Sequence, residues 1–206
     1  MKAAIFDCDG VLVDSEWASA AAWRAALARF DYPIDEATFG GFVGTTDRAL
    51  SLAFAAQVGA APGEVLAAAE EEMRRIAGQG LKAFPDAMAL LDRLAVPIGV
   101  GSNSDRWRLE VVLSAAGVRH RFDVTVAGDE VAQPKPAPDI YLRAADLLEV
   151  SPSECLVIED SPTGVAAARA AGMEVVAVRR GHFGDDVLNG ADRIVDSLDE
   201  LQTTTD

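Results

Sequence analysis

The chain alternates short, continuous apolar runs with longer stretches in which apolar residues recur at i, i+3, i+4 and i+7. The runs "KAAIFD" (2–7), "PIGVGS" (97–102), "DVTVAG" (123–128), "CLVIED" (155–160) and "EVVAV" (174–178) lack a polar alternate position. Each therefore predicts a strand covered on both faces, as in a parallel sheet. "ADRIVDS" (191–197) predicts a further edge strand. Between the runs, Ala87, Leu90, Leu91 and Leu94 form one helical stripe, Leu109, Val112, Leu113 and Ala116 a second, and Tyr141, Ala144, Ala145 and Leu148 a third. Strands and helices in strict alternation predict βαβ units with right-handed crossovers, and so an α/β fold on an open, doubly wound parallel sheet.

One segment departs from this rhythm. From about residue 15 to residue 81 only helical stripes occur: Trp23, Ala26, Leu27 and Phe30; Leu50, Ala53, Phe54 and Val58; Leu66, Ala69, Met73 and Ile76. Turn signals such as "YP", "GG" and "APG" separate them. The expected organisation is an α/β unit made of residues 1–14 and 82–206, with a helical module, 15–81, inserted after the first strand. The closing "QTTTD" is expected to fray.

At 206 residues, half of them hydrophobic, the chain can bury a sizeable core, and disorder is excluded. No apolar run approaches the roughly 20 residues needed to span a bilayer, and no basic region with a cleavage site opens the chain. A cytoplasmic, soluble protein is expected. With 18 basic against 33 acidic side chains, the net charge of −15 argues against nucleic acid and against an anionic membrane surface. Cys8 and Cys155 sit in apolar runs, where thiols act as small hydrophobes rather than as a disulfide or metal ligands. Nothing reads out an oligomeric state, and a monomer is the simpler expectation.

Ligands of an open α/β sheet bind beyond the carboxyl ends of its strands. There the first strand delivers Asp7 and Asp9, the second Ser102 and Asn103, and the fourth Glu159 and Asp160, while Lys135 in "PKPAP" follows the third. Clustered carboxylates repel one another unless a cation compensates them. The candidate ligands are all oxygens, and His120 and His182 lie in unrelated surface or loop stretches, so Mg²⁺ is expected rather than Zn²⁺. Lys135, the Ser102 hydroxyl and Asn103 are what a phosphoryl group requires, although Asn103 equally suits capping of the next helix. An ionised aspartate could then attack phosphorus. Asp7, on the rigid strand end, suits the nucleophile; Asp9, in the loop, suits the general acid and base.

Gly10 permits a sharp turn and a close approach of backbone N–H groups to an anion. Ser161 and Pro162 suit the N-cap and first position of a helix that holds Asp160 at its turn and ends at Gly172. In "GTTDR" (44–48), Thr45, Thr46 and Arg48 could contact substrate; a helix start with a solvated arginine fits as well. Asp14 and Glu16 read as hinge or surface groups, and Trp17 and Trp23 as packing residues.

"FDCDGVLVDSE", "GSNS", "KPAPD" and "IEDSPTG", in that order, resemble the four motifs of the haloacid dehalogenase-like (HAD) superfamily, and within it the β-phosphoglucomutase-like group of phosphatases and mutases. The resemblance spans nearly the whole chain and implies a Rossmann-like core with a helical cap at 15–81. It implies Asp7 as nucleophile and Mg²⁺ ligand, Asp9 as acid/base binding Mg²⁺ through its backbone carbonyl, and Asp160 as a metal ligand. Glu159 would be a ligand or a carboxylate supporting one, and Ser102 and Lys135 would hold the phosphoryl group. The dehalogenases of that superfamily lack the second aspartate, so Asp9 argues against their chemistry. Sugar-phosphate mutases of the group carry a histidine where this chain has Ser19. The expectation is a Mg²⁺-dependent phosphatase of a small phosphorylated metabolite, a sugar phosphate. A hexose-phosphate mutase is the alternative enzyme, and a phosphoacceptor or binding module the non-enzymatic one.

Overall fold

The computed structural model describes residues 1–35, 39–40, 42, 45–181 and 183–201. The "QTTTD" segment, Gly44 of "GTTDR" and His182 lie outside the described residues. Six strands form one parallel sheet: β1 (Ala3–Phe6), β2 (Ile98–Gly101), β3 (Val124–Val126), β4 (Cys155–Glu159), β5 (Glu174–Val178) and β6 (Arg193–Val195), in the order β3-β2-β1-β4-β5-β6. That order reverses between β1 and β4, where a doubly wound sheet opens a crevice.

Successive strand residues face opposite sides, and along the central strands both sides are dry. Ala4, Phe6, Val100, Ile158 and Val176 pack with Ala87, Leu90 and Leu91 of α4 (Pro85–Arg93) and Leu109, Val112 and Leu113 of α5 (Arg106–Ala115). Ala3, Ile5, Val157, Val175 and Ala177 pack with Ile140, Tyr141 and Ala144 of α6 (Asp139–Leu147) and Val165, Ala167 and Ala168 of α7 (Pro162–Ala170). Double coverage is why these strands read as unbroken apolar runs. A short helix, α8 (Asp185–Leu188), follows β5.

Between β1 and β2 stand α1 (Glu16–Ala28), α2 (Asp47–Val58) and α3 (Pro62–Ala77), around an apolar cluster that includes Trp23, Leu27, Leu50, Phe54 and Val65. Two details of the expected stripes shift. In α3 it is Val65, not Leu66, that is buried, because Val65, Ala69, Met73 and Ile76 repeat at helical spacing and Leu66 lies one residue, about 100°, to the side. In α2, Ala55 is buried and Ala53 exposed. Cys8 and Cys155 are buried free thiols, and His120 is exposed. Among the described residues no single helix is long and apolar enough to cross a membrane.

The two chain crossings to the helical segment are paired. Val13 makes an antiparallel bridge with Ala83, Phe84 N–H donates to Leu12 O at 3.0 Å, and Asp14 N–H to Lys82 O at 3.1 Å. Just beyond, Asp86 accepts two hydrogen bonds from the Arg180 guanidinium, each 3.0 Å, and the N–H groups of Leu198 and Ala87, each 2.9 Å. Burial alone would raise the Asp86 carboxyl; the donors from Arg180, Leu198 and Ala87 outweigh it and hold it below its usual range.

A depressed folded-state pKa means that this stabilisation is complete above the unfolded carboxylate value near ~3.9 and is lost as pH falls through the lower folded value. Urea unfolding should show Asp86→Asn about 1–3 kcal/mol less stable than the parent at pH 7. The gap should narrow once the pH drops below ~3.9.

Candidate active site

Asp7 continues β1, its N–H donating to Ile158 O of β4 at 2.9 Å, so it stands beside Glu159 at the carboxyl end of the neighbouring strand. Lys135 Nζ lies between them, 2.6 Å from Asp7 Oδ1 and 2.7 Å from Glu159 Oε1, over the Tyr141 ring at 4.6 Å. Although burial opposes a charge on Lys135, Asp7 and Glu159 raise its pKa and keep it an ammonium. Tyr141 Oη also donates to Glu159 Oε1. Glu159 Oε2 accepts from the N–H groups of Asp160 and Ser161 and from the Ser161 hydroxyl, at 2.9 to 3.0 Å.

Ser161 caps α7 as expected, accepting from Gly164 N–H at 3.1 Å, with Pro162 next. Gly164 is required for another reason: a Cβ there would stand 1.6 Å from Glu159 Oε1. Burial, then Lys135 and the hydrogen bonds, act on Glu159 with a net lowering. Asp160 differs: burial and the charges of Glu159 and Asp7 push its carboxyl well up. Asp7 is likewise raised, by burial most of all, against the pull of Lys135. Asp7, Glu159 and Asp160 offer oxygens within 4.8 Å of one another. A dense, buried, oxygen-only set in which Asp7 and Asp160 resist ionisation beside an ionised Glu159 is what a hard divalent cation relieves.

Asp9 faces a different environment. Ser15 Oγ makes a short hydrogen bond to its Oδ1, Ser104 Oγ donates to Oδ2 at 3.0 Å, and Arg108 Nη2 lies 3.4 Å from Oδ1. Burial would raise it, yet Arg108 and these donors lower it overall. Ser102 Oγ accepts from Ser104 N–H at 3.1 Å and keeps its own hydrogen to donate.

Three expected contacts take other forms. The Asn103 side chain grips the Lys135 backbone, with Nδ2 to O at 3.2 Å and N–H to Oδ1 at 2.8 Å, so its amide positions the lysine loop. Gly10 donates its own N–H to Val13 O at 3.0 Å, so that group closes the turn rather than meeting an anion. With φ of +81°, Gly10 instead makes room: a Cβ would lie 2.0 Å from Asp160 Oδ2. Arg48 is exposed and outside the cavity wall, because the Thr46 N-cap starts α2 so that Asp47 turns inward and Arg48 outward.

Asp7, Asp9, Lys135 and Asp160 border a cavity of about 210 Å³ that the helical segment closes with Ser19, Thr45, Thr46, Asp47, Leu50 and Phe42. Glu16, expected as hinge or surface, lines it too. Sequence reasoning passed over Asp47 and Arg108, which are only 4% and 8% exposed. Arg108 Nη1 donates to Ser19 Oγ at 2.8 Å and reaches Asp47 Oδ1 at 3.4 Å, while Trp23 Nε1 donates to Asp47 Oδ1 at 2.8 Å. Asp47 Oδ2 and Arg108 Nε are buried without a partner. The signal for Arg108 was its place directly before Leu109, at the edge of an apolar stripe.

A buried cluster of three carboxylates that fits a cation, a further carboxylate held by donors and a buried ammonium make the site suited to a phosphoryl-transferring hydrolase. The chain belongs to the haloacid dehalogenase-like hydrolase family, which it matches over residues 1–172. It is 33% identical over 180 residues, 85% of this chain and 95% of the relative, to fructose-1-phosphate phosphatase YqaB of Escherichia coli. It is 32% identical over 213 residues, 98% of this chain and 96% of the relative, to validoxylamine A 7'-phosphate phosphatase of Streptomyces hygroscopicus subsp. limoneus. The crystal structure of CbbY from Rhodobacter sphaeroides in complex with phosphate superposes with a TM-score of 0.88 at 27% identity, covering 98% of this chain and 96% of that one. Family, parallel-sheet fold and phosphatase relatives all accord with the motif reading.

Gly164→Ala should drive Glu159 off its donors and lower stability by about 2–4 kcal/mol, seen as a fall in Tm. Alanine is otherwise the better helix former, so a rise in Tm would show that the predicted clash with Glu159 does not occur.

Proposed function

We propose that the protein is a Mg²⁺-dependent phosphatase that hydrolyses a small sugar or polyol monophosphate through an aspartyl-phosphate on Asp7. The observation that carries this reading is the division of labour between the two aspartates: Asp7 sits in the cation-fitting cluster, while Asp9 is held apart by Ser15, Ser104 and Arg108. Asp7 attacks phosphorus as Asp9 gives its proton to the departing alcohol oxygen, and the P–O bond to that oxygen breaks. Asp9 then takes a proton from water, whose oxygen attacks phosphorus and returns Asp7 as a carboxylate with release of inorganic phosphate. The donors on Asp9 favour the carboxylate needed for the second step, and a phosphoryl dianion beside it favours the proton needed for the first.

Asp7, Asp160 and the Asp9 backbone carbonyl would hold Mg²⁺, which when bound neutralises charge between an anionic nucleophile and an anionic phosphate. Glu159, with both oxygens already hydrogen-bonded, supports that set from behind by fixing Lys135 and the Asp160 turn. Lys135 and Ser102 hold the phosphoryl oxygens, with Asn103 acting through the Lys135 loop.

We read residues 15–81 as the cap on a core of residues 1–14 and 82–206, closing over substrate to exclude water. The partnerless Asp47 Oδ2, Ser19, Thr45 and Thr46 suit hydroxyl groups of the leaving alcohol, which donate and accept. Ser19, its oxygen taken by Arg108, offers no imidazole for mutase chemistry. The acidic surplus and the two free thiols fit a cytoplasmic monomer acting on small molecules rather than on nucleic acid or membranes.

Incubated with sugar and polyol monophosphates, the purified protein should release inorganic phosphate with Mg²⁺ and not after chelation. Asp7→Asn should be slower by about 10³-fold or more; a rate equal to the parent's would remove Asp7 as nucleophile. In a separate kinetic comparison, Asp47→Ala should raise KM for the sugar phosphate about 10-fold, with a smaller change in kcat.

A further inference from the structure

Arg180, two residues past the end of β5, is half-buried and lies outside the cavity wall. Its Nε donates to Gly10 O at 3.0 Å and its Nη2 to Val11 O at 3.5 Å, and these two residues directly follow Asp9. The fork of its guanidinium meets both oxygens of Asp86 at 3.0 Å, and its face covers the Phe84 ring at 4.0 Å. Asp86 is itself fixed by the Leu198 and Ala87 N–H groups. A guanidinium locked on a carboxylate fork is a donor of fixed direction.

The segment it grips is a closed turn. Leu12 N–H and Val13 N–H both donate to Cys8 O at 3.0 Å, and Gly10 N–H returns to Val13 O. Side chains of Ser15, Ser104 and Arg108 hold the Asp9 carboxylate, and Arg180, outside the cavity wall, holds the carbonyls of the two residues that follow it. Phe84, under the guanidinium, is the N-cap of α4 in the segment that returns from the helices, and its N–H bonds to Leu12 O.

We propose that Arg180, oriented by Asp86, is a positioning residue for Asp9: by gripping the Gly10 and Val11 carbonyls it sets the turn that carries the Asp9 carboxyl to the leaving-group oxygen. The inference rests on Asp9 as the proton donor. A displaced acid harms a poor leaving group, which needs the proton, far more than a good one, which departs without it. A purely structural contact would slow both alike.

The test is kcat/KM, which reports the phosphoryl-transfer step, across phosphate monoesters ranging from nitrophenyl to simple alkyl esters. Arg180→Met, which keeps the apolar stem on Phe84, should lose at least about 10-fold more on the alkyl esters than on the nitrophenyl ester. Asp86→Asn should move the same way by less. Arg180→Lys, whose ammonium can still reach the Gly10 carbonyl, should recover part of the loss. Should Arg180→Met not fold by circular dichroism, Arg180→Lys against Asp86→Asn decides. Parallel losses across the ester series in folded variants, or no loss, overturn the clamp. Asp9→Asn separates the two ideas: if it leaves the dependence on leaving group unchanged, the acid role of Asp9 falls. If it steepens the dependence and the Arg180 variants do not, only the clamp falls.

Discussion

The buried Lys135 ammonium, shared between Asp7 and Glu159, is the contact on which the rim of the sheet depends. Register forces the problem it solves. Phe6 pairs with Ile158 across β1 and β4, so the next residue on each strand places one carboxylate beside another in a dry interior. A lysine 2% exposed at its side chain would be costly to bury alone, and so would either carboxylate; together they satisfy one another, with Tyr141 and the α7 turn taking the remaining lone pairs. One positive group among Asp7, Glu159 and Asp160 leaves a negative remainder. That remainder makes the rim receptive to a cation, while the Asn103 side chain fixes the backbone from which the lysine reaches in.

Much of this was legible in the sequence because it is backbone logic. Strands covered on both faces must be apolar throughout, so "CLVIED" and "EVVAV" could not be mistaken for half-solvated strands. Residues placed directly after such strands follow the sheet wherever it goes, which is why Asp7, Glu159 and Asp160 stand within a few ångströms of one another.

What escaped the sequence depends on helix rotation and on hydrogen-bond partners. Asp47 and Arg48 are neighbours, and only the phase of α2, set by its Thr46 cap, turns the carboxylate inward and the guanidinium out. Arg108 lies beside a core leucine, where a charged residue ordinarily marks the solvated flank. Gly10 was read as letting backbone N–H groups approach an anion, but its own N–H closes the turn and its missing side chain is what Asp160 needs. Composition and spacing reveal which groups arrive at a rim; they do not reveal which of their hydrogen bonds are already spent.

Arg108 joins separate parts of the cavity wall, Asp9 in the turn after β1 and Ser19 and Asp47 on the helices. Its charge is matched only while those parts stay together. Drawing them apart would strip a desolvated arginine of one carboxylate and hydrate both, and dissolved salt would ease that separation by screening what is lost. The contact between the helices and the sheet is therefore electrostatic at its centre as well as apolar at its edges.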